Sequence, residues 1–322
     1  MPSTYAHYRF GQEVLKELPN DIKKIIIENK ELYDIGLHGP DLLFYYLPLK
    51  TNEINSIGYN MHEKTGEEVF DTFRKMMTSK KQINHYLAYY YGFICHFALD
   101  ATCHGYIEKR IHESGVSHGE IEVEFDRFLM IEDGLNPISH HLTNHLVASE
   151  ENAKIIADFY EITTKQTKKA IKGMKIYNDL LVAPSKLKRK IIYALLRISG
   201  NYKEMHGLLV NYRANPLCND STDKLYELYE SAKQLAVTLI SEFRASAYGR
   251  IEYNKMYNYT FGSKLVEENV HKASETQIKN QTNNNTEDNA KTVIQYTVSN
   301  ELENNADGDE SDNADGSSRK CG

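Results

Sequence analysis

The chain has 322 residues, 41% hydrophobic and 26% charged, with a formal net charge of −7 and four cysteines, values that exclude a wholly disordered chain, a disulfide scaffold and a collagen-like fibre. From residue 1 to about 259 it is rich in Ile, Leu and Tyr; from Lys272 onward Asn, Asp, Glu, Ser and Thr take over, too polar to offset the entropy of ordering. Residues 272–322 hold ten acidic side chains against five basic ones, so the tail carries −5 of the total and the domain at 1–265 is nearly neutral, which argues against a dedicated nucleic-acid binder.

The opening MPSTYAHYRFGQEVLKEL lacks the basic-then-apolar pattern of a secretory leader, so the expected location is cytoplasmic. Residues 5–17 and 21–30 read as amphipathic helices, with Asn20 as cap and Asp21 as first-turn acid of the second. A loop-rich stretch from Asp34 to Gly66 follows, punctuated by Gly36, Gly39, Pro40, Pro48 and Gly58; long loops in compact domains are where function concentrates. Helices are then expected at 67–78 and 81–107, and a third begins after Ser117, with Glu120 as its capping-box partner. Further helices are expected near 137–146, 150–173, 185–199 and 222–247. The one β-like run, VIQYTV at 293–298, stands isolated in the tail. The expectation is an all-α protein: one multi-helix domain over 1–265 and a disordered acidic, Asn-rich tail over 272–322.

The helix at 81–107 carries the chemistry. His96, Asp100 and His104 stand at four-residue intervals, and His118 with Glu122 repeats the interval, the spacing that stacks side chains on one helical face. At about 1.5 Å per residue the stripe from His96 to His104 climbs about 12 Å, too far for both histidines to share one ion. Asp100, midway, can serve His96 with one carboxylate oxygen and reach a second metal with the other. Its neighbours Tyr89, Tyr90, Tyr91, Phe93, Phe97 and Leu99 are apolar, and an ionised carboxylate buried among them calls for a cation. Cys95, Cys103, Cys218 and Cys321 are scattered without a disulfide framework. Cys103 points about 100° away from His104 and reads as core packing.

These residues resemble the bacterial zinc-dependent phospholipases C, whose all-helical fold is shared with zinc-dependent single-strand nucleases. The family signature is a helix bearing His, Asp and His, followed about a dozen residues on by His and, four later, Glu; here these are His96, Asp100, His104, His118 and Glu122. An upstream Gly-x-x-x-Pro-Asp segment matches GLHGPD, with Asp41 at its end; a following histidine matches His62, and the early family histidine matches His7. The interval from Asp100 to His104 is shorter than in the secreted toxins.

The resemblance implies two or three zinc ions: one held by His62, His96, Asp100 and Asp41, a second by His104, His118 and Glu122, and a third by His7 and the free oxygen of Asp100. In secreted members the freed N-terminus also ligates the third zinc, whereas here Met1 or Pro2 lies a few residues before His7. Asp41 and Glu122 are the expected catalytic carboxylates, with Asp41 orienting or deprotonating the attacking water. The implied substrate is a phospholipid or smaller phosphodiester. Membrane contact is expected to be at most peripheral, since the toxins' C-terminal β-sandwich has no counterpart in the acidic tail. Two other readings share the ligand pattern: a nuclease of the related fold, and a zinc-binding interaction protein without turnover. His141 and His145 also have ligand spacing but nothing upstream to complete a site, and Asp34 is the local competitor of Asp41.

Overall fold

The structure, a computed structural model, describes residues 4–200, 202–246 and 254–265. The tail and the run at 293–298 lie outside these residues. Twelve α-helices are present among them: α1 (Thr4–Glu17), α2 (Asn20–Glu28), α3 (Lys30–Gly36), α4 (Glu53–His62), α5 (Gly66–Met77), α6 (Ile83–Ser114), α7 (His118–Glu132), α8 (Glu150–Tyr160), α9 (Thr164–Leu181), α10 (Lys186–Ile198), α11 (Tyr202–Met205) and α12 (Asn219–Ser246). No strand forms among the described residues; the only β pairing there is two isolated bridges, Thr65 with Thr260 and Tyr259 with Leu265. The fold is all-α.

Helix α6 is the axis. It is apolar on every side from Tyr86 to Cys95 and almost wholly buried there, as a helix without a solvent face must be. Helices α3 and α12 cover most of it, with α1, α2, α5, α7 and α8 around them. It runs well past residue 107, because Gly115 at φ 68° supplies a left-handed C-cap whose N–H reaches Ile111 O, and nothing in GYIEKRIHES stops a helix sooner.

Two glycines set the closest helix crossing. A Cβ on Gly36 would lie 2.3 Å from Tyr89 O, and one on Gly92 2.3 Å from Tyr33 O, so only glycine lets α3 meet the middle of α6. That crossing aims the segment after α3 at His96. Gly39, at φ +46°, turns the chain there, and a Cβ on it would fall 2.3 Å from His96 Cδ2.

Several expected elements differ. The stretch 34–66 holds α3, a 3-10 helix at Gly39–Tyr45 and α4; its glycines and prolines end short helices rather than prevent them, and Asn52 opens α4 in a capping box with Asn55. Asn20 is the first residue of α2, with Pro19 at the cap and no side-chain cap bond. Residues 137–146 form turns instead of a helix, and the Lys175 ammonium bonds the carbonyls of Thr143 and Leu146 there at 3.0 and 2.8 Å. The expected helix 150–173 divides into α8 and α9 at Glu161, φ 54°, where Thr163 and Gln166 form a capping box. Ser117 caps α7, but the Glu120 carboxylate accepts from Asn211 and Asn215 at 3.1 and 2.9 Å instead of completing a box.

Candidate metal centre

Helix α6 presents His96, Asp100 and His104 toward three other parts of the fold: α1 with His7, the 3-10 segment and α4 with Asp41 and His62, and α7 with His118 and Glu122. Asp100 is the hub. Its Oδ1 lies 3.1 Å from His7 Nε2 and 3.8 Å from His104 Nε2, while its Oδ2 lies 3.1 Å from His96 Nε2 and 3.8 Å from His62 Nε2. From there His62 Nε2 is 3.0 Å from Asp41 Oδ1, and on the other side Glu122 Oε1 is 3.4 Å from His104 and 2.9 Å from His118. All eight residues singled out from the sequence therefore form one connected constellation. They fall into three sets whose donor atoms lie within 4.8 Å of one another: His7, His96 and Asp100; Asp41, His62 and His96; His104, His118 and Glu122. His96 stands between the first two sets, its ring stacked on His7 at 4.4 Å.

The tautomers are fixed from outside. His62 Nδ1 donates to Gly58 O at 2.8 Å, and His104 Nδ1 donates to Phe261 O at 2.9 Å; a carbonyl can only accept, so each ring carries its hydrogen there. In the neutral rings both Nε2 lone pairs then point at carboxylates, acceptor against acceptor. His118 lies between Glu108 Oε1 at 3.2 Å and Glu122 Oε1 at 2.9 Å, with one N–H to share when neutral. Either protons or a cation must resolve these contacts.

Electrostatics give the same picture. Burial works against a charged His104, but Asp100 and Glu122 outweigh it and raise its pKa to about 9. His62 is also raised against burial, by Asp41 and then Asp100. Burial lowers His96, the deepest ring, despite Asp100. Asp100 and Glu122 are buried yet stay ionised: His96 and His104 hold Asp100 well below the usual carboxylate range, and His118 with His104 contributes to bringing Glu122 to about 2.

A family model described as zinc dependent phospholipase C matches residues 6–183, which include all eight of these residues. The chain belongs to that zinc-dependent phospholipase C family. No curated protein and no solved structure matches it.

The residues fit the metal that the family's name requires. Buried and without hydrogen bonds are His7 Nδ1, Asp41 Oδ1, both ring nitrogens of His96, Asp100 Oδ2 and Glu122 Oε2, a concentration of unsatisfied polar atoms that a fold tolerates only where something else binds them. Imidazole and carboxylate are the donors zinc takes, and the Nδ1–H bonds to carbonyls are the outer support that orients such ligands.

Sequence reasoning missed part of this candidate metal centre. Phe261 contributes a backbone carbonyl to His104 and packs its ring 6.0 Å from that of His96; a carbonyl carries no sequence signal. Ser263 Oγ donates to the carbonyls of Asp100 and Ala101 at 3.1 and 2.7 Å. Of the histidines set aside, His145 stacks on Tyr8 and lies 2.7 Å from His38, nitrogen to nitrogen, behind the site rather than in it, and His141 bonds Asp179. Asp34 is held by Lys30 and Gln12 and takes no part. Cys103 is buried core, its thiol pushed up by burial.

Proposed function

We propose that the chain is a zinc-dependent phosphodiester hydrolase of the phospholipase C type, cleaving a phospholipid or smaller phosphodiester into an alcohol and a phosphomonoester. The observation that carries this reading is the continuous chain from Asp41 through Asp100 to Glu122, in which oriented Nε2 atoms face carboxylates that no hydrogen bond satisfies. Two or three ions would be held, by Asp41, His62, His96 and Asp100, by His104, His118 and Glu122, and by His7 with Asp100. Zinc in such sites polarises phosphoryl oxygens and lowers the pKa of bound water toward neutrality.

The chain's own side chains do the rest. Asp41 sits on the 3-10 turn rather than on α6; with Oδ1 beside His62 Nε2 at 3.0 Å and the metal it would help hold, its carboxylate can also orient the attacking water and take its proton. As the water oxygen bonds to phosphorus, the bond to the alcohol oxygen breaks, and the proton that the water gave up is returned to the alcohol oxygen, so that diester and water become alcohol and phosphomonoester. His62, His104 and His118 stay fixed through Gly58, Phe261 and Glu108, so little reorganisation accompanies the charge shift. Substrate enters where His62 and His118 are partly exposed; His7, His96 and Asp100 form the closed floor. Tyr59, exposed on α4 and stacked on Phe44 at 4.3 Å, with Phe44 5.2 Å from His62, is placed to meet the substrate's head group.

The test is zinc content per chain for wild type and His104→Ala, beside hydrolysis of a chromogenic phosphocholine ester and of single-stranded DNA. Two or three zincs with ester turnover, both reduced by the substitution, is the expected result. Cleavage of DNA alone would transfer the site to the nuclease reading, and zinc without turnover would favour a binding role.

A further inference from the structure

Helix α10 has two apolar faces and needs only one. Arg189, Ile192, Tyr193 and Leu196 turn inward onto a small cluster formed with Ala183 and Leu209, separate from the main core. On the opposite side Leu187, Ile191, Leu195 and Ile198 are 68, 52, 60 and 84% exposed. At about 100° per residue these four fall within about 80° of one another, a stripe along the whole helix.

The stripe is flanked by positive charge. Lys186, Lys190 and Arg197 project in the sector beside it and are exposed, and among the described residues none of the three makes an ion pair. Lys188, on the other flank, donates to the carbonyls of Asp179 and Val182 at 3.1 and 2.6 Å, and Arg189 donates to Val210 O at 2.7 Å. These bonds fix the roll of the helix and keep the apolar stripe turned to solvent. Residues 164–198 contain ten Lys and Arg against one acidic residue, Asp179. The near neutrality of the domain therefore conceals a strongly basic segment, which the overall charge balance did not reveal.

We propose that the outer face of α10 docks on an anionic lipid surface. Apolar side chains between cations are what a helix lying in the headgroup region presents: Leu and Ile enter the acyl boundary while Lys and Arg meet lipid phosphates. A nucleic-acid strand would be served by the cations and not by four exposed Leu and Ile. The inference does not rest on the reaction assigned above, because binding is read without turnover.

The experiment uses the full, zinc-loaded chain and co-sedimentation with vesicles of phosphatidylcholine alone or of equal parts phosphatidylcholine and phosphatidylglycerol. Phosphomonoester release is followed in the same tubes, so hydrolysis and binding are scored separately. Two variants accompany the wild type: Leu187→Glu with Ile191→Glu and Leu195→Glu, and Lys186→Glu with Lys190→Glu and Arg197→Glu. Helicity by circular dichroism and turnover of a soluble ester check that each is folded. The wild type is expected to bind anionic vesicles about tenfold or more tightly than neutral ones, less so at high salt. The charge-reversed variant should lose that preference, and the apolar variant should lose binding to both. Equal binding by all three proteins, or none by wild type, would overturn the proposal. So would a wild-type dimer that the apolar variant dissolves, which would assign the stripe to a second copy, or binding of a single-stranded oligonucleotide in preference to anionic vesicles.

Discussion

The floor of the metal centre and its mouth meet on α6, where Asp100 belongs to the floor and His104, one turn on, to the mouth, under opposite regimes. At the floor, His7, His96 and Asp100 are sealed; burial drives His96 toward its neutral form, in which its Nε2 faces Asp100 Oδ2 at 3.1 Å without a hydrogen bond. At the mouth, His104 and His118 face Glu122 with a side chain open to solvent, and Asp100 and Glu122 draw His104 toward its protonated form. The sealed floor, with a neutral His96 against an ionised Asp100, suits a cation that arrives and stays. The mouth can be completed by protons, so there zinc and pH compete for the same Nε2 atoms.

The largest effect should come from the residue the two ends share. Asp100→Asn removes the charge that faces His7, His62, His96 and His104 together; zinc content should fall at both ends and ester turnover should drop by more than about 100-fold. Metal analysis that found full zinc in this variant would mean that the two ends are independent and that Asp100 is not their hub.

A second prediction sharpens the contrast through pH. In metal-free protein the folded pKa of His104, about 9, lies above its ordinary value of 6.5. Its contribution is therefore complete below about pH 6.5 and lost as pH rises through 9. Glu122 has the opposite sign: at about 2 against an ordinary 4.5, it contributes above pH 4.5 and loses its effect as pH falls toward 2. Metal-free protein should be most stable between these limits and lose stability on the order of 3 kcal/mol from pH 6.5 to 9. Zinc should then raise Tm more at pH 8.5 than at pH 6, and His104→Ala should flatten the alkaline slope. Calorimetric scans at four or so pH values, with and without zinc, would show it; a pH-independent zinc effect would refute the competition.

The smallest effect is expected from Glu108, which touches only the mouth. Glu108→Gln keeps an oxygen near His118 Nδ1 but removes the charge, so turnover should fall about tenfold or less, while zinc at the floor is retained. Loss of all zinc in this variant would erase the distinction between the two ends.

The ligand stripe was legible because it is local: four-residue spacing on a helix fixes the relation of His96, Asp100 and His104, and of His118 and Glu122, whatever surrounds them. His7, Asp41 and His62 were reached only through the family resemblance, since nothing in their spacing says that α1, the 3-10 turn and α4 converge on α6. The loop expected over 34–66 showed where glycine and proline end helices but not that short helices would form between them. The segment near 137–146, expected as a helix, is a run of turns held from outside its own span, by the Lys175 ammonium on the carbonyls of Thr143 and Leu146.

By itself, then, the sequence determined an all-helical domain and one metal-capable face on its central helix, because helical period and burial of apolar residues are properties of short segments. The tertiary structure decided which nitrogens face the carboxylates, since the acceptors that fix them are the backbone oxygens of Gly58 and Phe261, identical in kind to every other carbonyl. It also decided that α10 turns one of its two apolar faces outward: both faces are written in the sequence, but only packing chooses which one the core takes.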